Sequence, residues 1–261
     1  MSAEPIVESG LQLITRLIDR PSVQDLDSDL FFKGLDNNDV VEIRGTIGSG
    51  VDELLNKLIT KCILPLKYNG LNMEVLLLNT ENQFQISRLY RNLHNEITNV
   101  QGPIKVDEIV LGLLNNLKIT SCYNHQQLLL TLSSLENILL TNKKVGMIVL
   151  DSISAYYWQK KDESYNTYLM KFLRIIRKVT IDFKVVVLYT KQFDFASKKH
   201  TLEWHEGKKL LRYEISLCIN EHLNQLVCNI KSGEDKKQLS YELNNLVFTW
   251  LEVRIVKAFH K

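Results

Sequence analysis

The sequence predicts an α/β fold, in which a mostly parallel, twisted sheet carries helices on both faces and antiparallel strands on its C-terminal side. Between residues 40 and 189, unbroken apolar segments alternate with segments whose apolar residues recur every three or four positions. Unbroken apolar strands are typical of parallel sheets that are covered on both faces. After residue 210, apolar and polar residues alternate, which is typical of antiparallel strands with one exposed face.

The predicted elements follow in order. An amphipathic helix at 11–18 and an irregular lead-in at 25–39 precede the sheet. Parallel strands are predicted at 40–44, 74–78, 117–122, 145–150 and 184–189, with helices at 51–62, 84–97, 128–139 and 165–179. Antiparallel strands are predicted at 211–219, 226–230, 239–242 and 247–251, with an exposed hairpin loop at 231–238. We therefore expect an N-terminal extension over 1–39 and one core domain over 40–261.

Composition excludes several classes of protein. Glycine and proline make up only 15 of the 261 residues, so collagen-like and linker-rich architectures are excluded. No apolar run approaches the length that spans a bilayer, and the first ten residues do not resemble a secretory signal. The four cysteines form no metal-binding or redox spacing, so we interpret them as buried apolar residues in a reducing compartment. Residues 151–261 carry a net charge of +6, which is compatible with a polyanionic partner.

A glycine-rich loop joins the first predicted strand to its helix. Its residues 45–52 are GTIGSGVD, and Gly45 and Gly50 match the two glycines of the phosphate-loop pattern G-x-x-x-x-G-K-[ST], with Gly48 and Ser49 between them. The lysine position holds Val51, which offers no cation to a phosphate. Asp52 replaces the hydroxyl residue that would hold Mg²⁺.

The carboxylate of Asp52 has a structural interpretation of its own. A negative charge in the first turn stabilises a helix by about 0.3–1 kcal/mol, and Glu53 adds to it. We therefore interpret the loop as a phosphate cradle that became a helix start, with Asp52 in the anion site. The alternative is an ordinary glycine turn.

Three further polar groups end predicted strands, at the sheet edge where open α/β sheets bind ligands. They are residues 79–81 (NTE), Asp151 and residues 190–192 (TKQ). Together with the loop, they resemble the cores of RecA-type recombinases. The resemblance implies that Glu81 stands where the family has a water-activating glutamate, Asp151 at the Walker B aspartate, and Gln192 at a glutamine that senses the γ-phosphate.

The same three residues have structural alternatives. Glu81 could cap the following helix together with Asn79 and Thr80. Asp151 could hold a neighbouring turn by hydrogen bonds. Gln192 could be structural, because its phosphate partner is expected to be missing.

Longer segments narrow the resemblance to the X-ray repair cross-complementing branch of the eukaryotic recombinase paralogues. These segments are 8–17 (ESGLQLITRL), 62–65 (CILP), 128–136 (LLLTLSSLE) and 148–192, within a resemblance that covers roughly 6–195. It implies a RecA-like P-loop ATPase core and a nuclear protein of homologous recombination. The implied partners are other recombinase paralogues, chiefly the one designated D. The implied role is assistance to the recombinase filament on single-stranded DNA. With 44 residues before the loop, we expect no helical N-terminal DNA-binding domain.

Two segments lie where recombinases have DNA-contacting loops. Basic side chains with an aromatic residue between them suit single-stranded nucleic acid, because cations contact phosphates and rings stack on bases. The candidate residues are Lys160, Lys161, Lys198, Lys199, Trp204, Lys208, Lys209 and Arg212. The alternative is a solvated basic loop.

We therefore predict a non-catalytic subunit with a degenerate nucleotide site, and neither a catalytic residue nor a metal site. ATP and Mg²⁺ are expected only if a partner completes the site. Two alternatives stay open. One is a divergent DNA-dependent ATPase that uses Asp52 as an unusual Mg²⁺ ligand, Glu81 as base, and Arg44 or Lys57 as the compensating cation. The other is a degenerate RecA-type assembly factor outside recombination.

Overall fold

A computed structural model describes residues 9–10, 13–14, 20–159, 163–192, 210–220 and 225–251. Within them, one nine-stranded sheet has the strand order β3-β2-β4-β5-β1-β6-β7-β8-β9. The strands are β1 (Val40–Gly45), β2 (Glu74–Asn79), β3 (Leu117–Ser121), β4 (Val145–Asp151), β5 (Val186–Gln192), β6 (Tyr213–Asn220), β7 (Gln225–Ser232), β8 (Asp235–Asn244) and β9 (Val247–Trp250). The predicted α/β class is confirmed.

The sheet changes character at β6. From β3 to β6 all neighbouring strands are parallel, whereas β7, β8 and β9 each run antiparallel to the strand before them. The predicted antiparallel C-terminal strands are confirmed from β6 to β9, except that β6 joins the sheet in parallel with β1. Its apolar residues alternate with polar ones because one of its faces is not covered by a helix, although its backbone pairs in parallel with β1.

Five α-helices are described, and they divide between the two faces of the sheet. They are α1 (Val51–Ile63), α2 (Ile86–Gln101), α3 (Val106–Leu114), α4 (His125–Thr141) and α5 (Tyr165–Phe183). Helices α1, α2 and α3 pack on one face of the sheet and form one apolar core, to which β6–β9 also contribute. Helices α4 and α5 form a second core on the opposite face. Among the described residues, no helix combines the length and apolar composition needed to cross a membrane.

Two local predictions were wrong, and one falls largely outside the described residues. Helix α3 was not predicted at all. The segment 231–238 is not a loop, because β7 and β8 continue through it with Lys231 paired to Lys236 around a turn at Gly233. The predicted helix at 11–18 lies outside the described residues except for positions 13 and 14. The irregular lead-in at 25–39 consists of turns, as predicted.

Candidate functional site

The three polar groups predicted at strand ends meet at one edge of the sheet. Asn79 at the end of β2 pairs with Asp151 at the end of β4, and Gly45 at the end of β1 pairs with Gln192 at the end of β5. This edge is the carboxyl end of every parallel strand, and the loop at 45–50 leads from it into α1. The site predicted from separate motifs is therefore contiguous in space.

Left-handed backbone at two glycines shapes the loop. Gly48 has a φ of 78° and Gly50 a φ of 85°, which glycine adopts without a steric penalty. A Cβ atom on Gly45 would lie 2.3 Å from the Ser49 Oγ and 2.6 Å from the Val51 Cγ2. Glycine is thus required at 45, because the loop folds back on its own first residue. The side chain of Ser49 is buried there, and its Oγ has no hydrogen-bond partner in the structure.

Helix α1 begins directly after this loop. Gly50 occupies the N-cap position, and no side chain caps the free N–H groups. Asp52 and Glu53 stand in the first turn, where their charge complements the helix dipole. They differ in environment, because Asp52 is exposed whereas Glu53 is buried and accepts a 2.6 Å hydrogen bond from Arg88 Nη1 on α2.

Asp151 and Glu81 are each held by hydrogen bonds from residues of the same edge. The Thr190 hydroxyl on β5 donates to Asp151 Oδ1 at 2.5 Å, and the Ser152 hydroxyl donates to Glu81 Oε1 at 2.7 Å. The backbone N–H groups of Thr80 and Glu81 both donate to the carbonyl of Asp151. Both carboxylates therefore have fixed positions between β2, β4 and β5.

Negative charge surrounds the Asp151 carboxylate. Burial raises the pKa of Asp151 to about 6, the Thr190 hydroxyl opposes this, and the nearby carboxylates Asp52 and Glu81 add to it. No basic residue stands among the main causes of the shift. Within the described ranges, no three His, Cys, Asp or Glu side chains are grouped closely enough to hold a metal ion. The strand ends and the first turn of α1 therefore form an acidic edge.

The structural alternatives for the site residues have mixed outcomes. Glu81 does not cap the following helix, because α2 begins later, with Gln85 at an N-cap position that makes no side-chain hydrogen bond. Asp151 holds the adjacent strand through Thr190 rather than a neighbouring turn. The backbone of Gln192 ends β5, and its side chain lies outside the described part of the chain.

Comparison with known proteins decides the family. The Rad51 family model matches residues 18–209. The chain is 30% identical over 193 residues to the DNA repair protein XRCC2 of Mus musculus, an alignment that covers 71% of this chain and 68% of that protein. It is 26% identical over 167 residues to the DNA repair protein RAD51 of Mycosarcoma maydis, covering 61% of this chain and 45% of that protein. The chain belongs to the Rad51 family. The resemblance to a RecA-type recombinase paralogue is confirmed.

The two cations considered for this Rad51-family site are engaged elsewhere. Lys57 lies 3.0 Å from Asp27 Oδ2, with its ammonium group over the rings of Phe248 and Trp250. The guanidinium of Arg44 lies 4.0 Å from Glu42 on the opposite face of the sheet from α1. The sequence analysis did not identify Arg88 as a residue of this site. Its ion pair neutralises Glu53 and not the adjacent Asp52.

A buried ion pair under the site was also missed. Glu42 on β1 is fully buried, and its Oε1 lies 3.0 Å from Lys191 Nζ on β5, while the hydroxyl of Tyr189 donates to its Oε2 at 2.8 Å. The one sequence signal was a lone acidic residue in the apolar strand VVEIRG. This pair joins the strand that leads into the phosphate loop to the strand that leads into residues 193–209.

Most candidate DNA-contacting residues lie outside the described residues, namely Lys160, Lys161, Lys198, Lys199, Trp204, Lys208 and Lys209. Arg212 is described, and it has structural partners. Its Nη2 donates to the carbonyl of Lys33 at 3.1 Å, its Nε lies 3.8 Å from Asp39, and its backbone N–H donates to the carbonyl of Val40. These contacts place Arg212 at the start of β1, on the edge opposite the phosphate loop.

Proposed function

We propose that this chain is a non-catalytic subunit of a recombinase-paralogue complex in homologous recombination repair. It works in the nucleus, assembles chiefly with the paralogue designated D, and assists the recombinase filament on single-stranded DNA. Two relatives named as DNA repair proteins, XRCC2 and RAD51, support the process. Asp52 carries the non-catalytic role, because it stands in the first turn of α1, directly after the loop, where the phosphate-loop pattern has the hydroxyl residue that holds Mg²⁺.

Electrostatics oppose nucleotide binding by this chain alone. Two like charges about 4 Å apart repel by roughly 4 kcal/mol at an effective dielectric constant of 20. A triphosphate in the loop would meet Asp52 without the phosphate-loop lysine, because Val51 is aliphatic. Mg²⁺ would also lack the hydroxyl ligand that Asp52 replaces. The residues present therefore do not fit ATP–Mg²⁺.

The free edge of β3 supports the assembly role. In the described part of the chain, β3 pairs only with β2, and the side chains of Ile119 on this strand and of Tyr123 just after it are exposed. An unpaired strand edge beside apolar side chains is suited to strand addition by a partner segment. The backbone N–H of Cys122 donates to the carbonyl of Asn79 on β2. Because N–H groups point alternately to the two sides of a strand, the N–H of Ser121 points away from β2, toward the free edge.

We expect Ser121→Pro to weaken binding of the partner paralogue by about 10–100-fold. Proline removes the outward N–H, which contributes about 1–3 kcal/mol as part of a paired edge, and it leaves the bonds to β2 intact. Purified wild type and variant are titrated with the partner by interferometry. Ser121→Ala keeps the N–H and is the matched control. Unchanged affinity of the proline variant would contradict assembly through this edge.

A further inference from the structure

The turn between α2 and α3 carries a lysine within a short sequence pattern. Residues 104–107 are IKVD, that is, a large aliphatic residue, a lysine, any residue and an acidic residue. No other lysine of the sequence has an aliphatic residue before it and an acidic residue two positions after it. Lysine amines accept protein modifiers, and the conjugating enzyme of the small ubiquitin-like modifiers recognises this pattern directly. Because four residues also match by chance, the structure around them must decide.

The three side chains that such an enzyme contacts are all exposed. Ile104 is 75% exposed, and Lys105 beside it lies on the surface. The side chain of Asp107 is 73% exposed, although one of its oxygens accepts a hydrogen bond from the Tyr90 hydroxyl on α2. The aliphatic group, the amine and the carboxylate of the pattern are therefore accessible in the folded chain.

The ammonium group of Lys105 serves no contact of the fold. Lysines that do are held by carboxylates, as Lys57 is by Asp27 at 3.0 Å and Lys191 by Glu42 at 3.0 Å. Lys105 makes no hydrogen bond or ion pair with any other residue that the structure describes. Its side chain can therefore enter the active site of an enzyme without breaking an interaction within the described chain.

The backbone at Lys105 is held weakly. Its φ is 57°, a left-handed conformation that lysine rarely adopts, and it occupies the N-cap position of α3 without a capping side chain. The hydrogen bond that closes the first turn, from the Ile109 N–H to the Lys105 carbonyl, is 3.4 Å long, beyond the usual range. A segment that binds an enzyme in an extended form must open this turn. The main cost of opening is the removal of the buried Val106 from the core.

The turn lies at the edge of the sheet opposite the loop at 45–50. The Gln101 amide donates to the carbonyl of Ile104 at 3.3 Å and accepts a hydrogen bond from the hydroxyl of Tyr68, which precedes β2. The turn therefore stands near the amino end of β2, whereas the loop follows the carboxyl end of β1. A modifier attached here leaves the loop uncovered, so it adds a contact surface and does not block the site.

We propose that Lys105 is an acceptor site for a small ubiquitin-like modifier. The neutral amine attacks the carbonyl carbon of the modifier's C-terminal glycine, which the conjugating enzyme carries as a cysteine thioester. The C–S bond breaks as the C–N bond of the isopeptide forms, and a proton of the amine passes to the departing thiolate. Ile104 packs on an apolar surface of the enzyme, and Asp107 pairs with its basic residues, which positions the amine.

The test incubates the purified full chain with activating enzyme, conjugating enzyme, modifier and ATP, and identifies the branched peptide by mass spectrometry. We expect one main conjugate, at Lys105, which Lys105→Arg abolishes. Ile104→Asp and Asp107→Asn should each slow conjugation about fivefold or more, because each removes a contact beside the amine. The matched control is Lys118→Arg, at an exposed lysine that follows an aliphatic residue but has Thr120 in the acidic position; it should react like wild type. Melting curves verify that each variant is folded.

Three outcomes overturn the inference, and none of them bears on the proposed function. The first is that a control substrate is conjugated and this chain is not. The second is that Lys105→Arg is conjugated as fast as wild type, which would make another lysine the acceptor. The third is that Lys105 is modified but Ile104→Asp and Asp107→Asn both react like wild type, or that only ubiquitin-conjugating enzymes modify it. The pattern would then not be recognised, and the modifier class would be wrong.

Discussion

Replacement of Lys191 by methionine is expected to destabilise the fold by about 3 kcal/mol or more, since breaking a buried ion pair typically costs 3–5 kcal/mol. The side chain of Lys191 is 6% exposed and that of Glu42 is fully buried, with 3.0 Å between Nζ and Oε1. Methionine keeps the apolar volume but leaves the Glu42 carboxylate in the sheet interior without its main cation. Arg44, 4.0 Å from the same oxygen, offsets part of the loss.

Thermal unfolding at neutral pH measures this effect, with an expected fall in melting temperature of about 6–12 °C for a chain of this length. The double variant Glu42→Gln, Lys191→Met is the matched control, because it removes both charges and leaves the Tyr189 hydroxyl a partner in the amide oxygen. It should recover most of the stability. A single variant as stable as wild type would show that the pair is not buried as described.

Replacement of Asp151 by asparagine is expected to have the opposite sign and to stabilise the chain at pH 8. The folded pKa of Asp151 is about 6, against an ordinary value of 3.8, with burial as the main cause. A difference of about two pH units corresponds to about 3 kcal/mol that the ionised carboxylate costs the folded state. Asparagine removes this cost and still accepts the hydrogen bond from the Thr190 hydroxyl.

The pH dependence identifies the cause. Because the folded state holds the Asp151 proton more tightly than the unfolded state, its contribution to stability falls as pH rises from about 4 to about 6, and the full cost applies above that range. The advantage of Asp151→Asn over wild type should therefore be largest at pH 7–8 and vanish near pH 4. Asp52→Asn should give no such gain, because Asp52 is exposed and its charge stabilises the start of α1. A destabilised Asp151→Asn at pH 8 would mean that this carboxylate is compensated by a cation.

The parallel core could be predicted from sequence because each strand is a short apolar run between helical stripes. Helix α3 escaped prediction because it has only nine residues and begins after Lys105 in a left-handed conformation, without a capping side chain. Val106, Ile109, Val110 and Leu113 do recur at helical spacing and pack on the core, but this stripe covers only two turns. The hairpin at 231–238 was misread because polarity reports exposure, and an exposed antiparallel ladder is as polar as a loop.

The site was predictable to the extent that it consists of local motifs. Gly45, Asp52 and Asp151 could be identified because loop spacing and strand ends reveal them, and their meeting at one edge follows from the parallel topology. The ion pairs of Glu42 with Lys191 and of Glu53 with Arg88 could not, because each joins residues far apart in sequence whose pairing depends on the folded register. These pairs determine which charges remain unbalanced at the site.

Titration of the purified chain with ATP–Mg²⁺ by calorimetry decides whether the loop at 45–52 still holds a nucleotide. A recombinase-family chain with an intact phosphate-loop lysine serves as the positive control, and the same titration is repeated on a mixture with the partner paralogue. We expect no saturable heat for this chain alone, because Val51 provides no cation and Asp52 opposes the phosphates. Saturable binding of ATP–Mg²⁺ to the single chain, lost in a Gly50→Val variant, would contradict it.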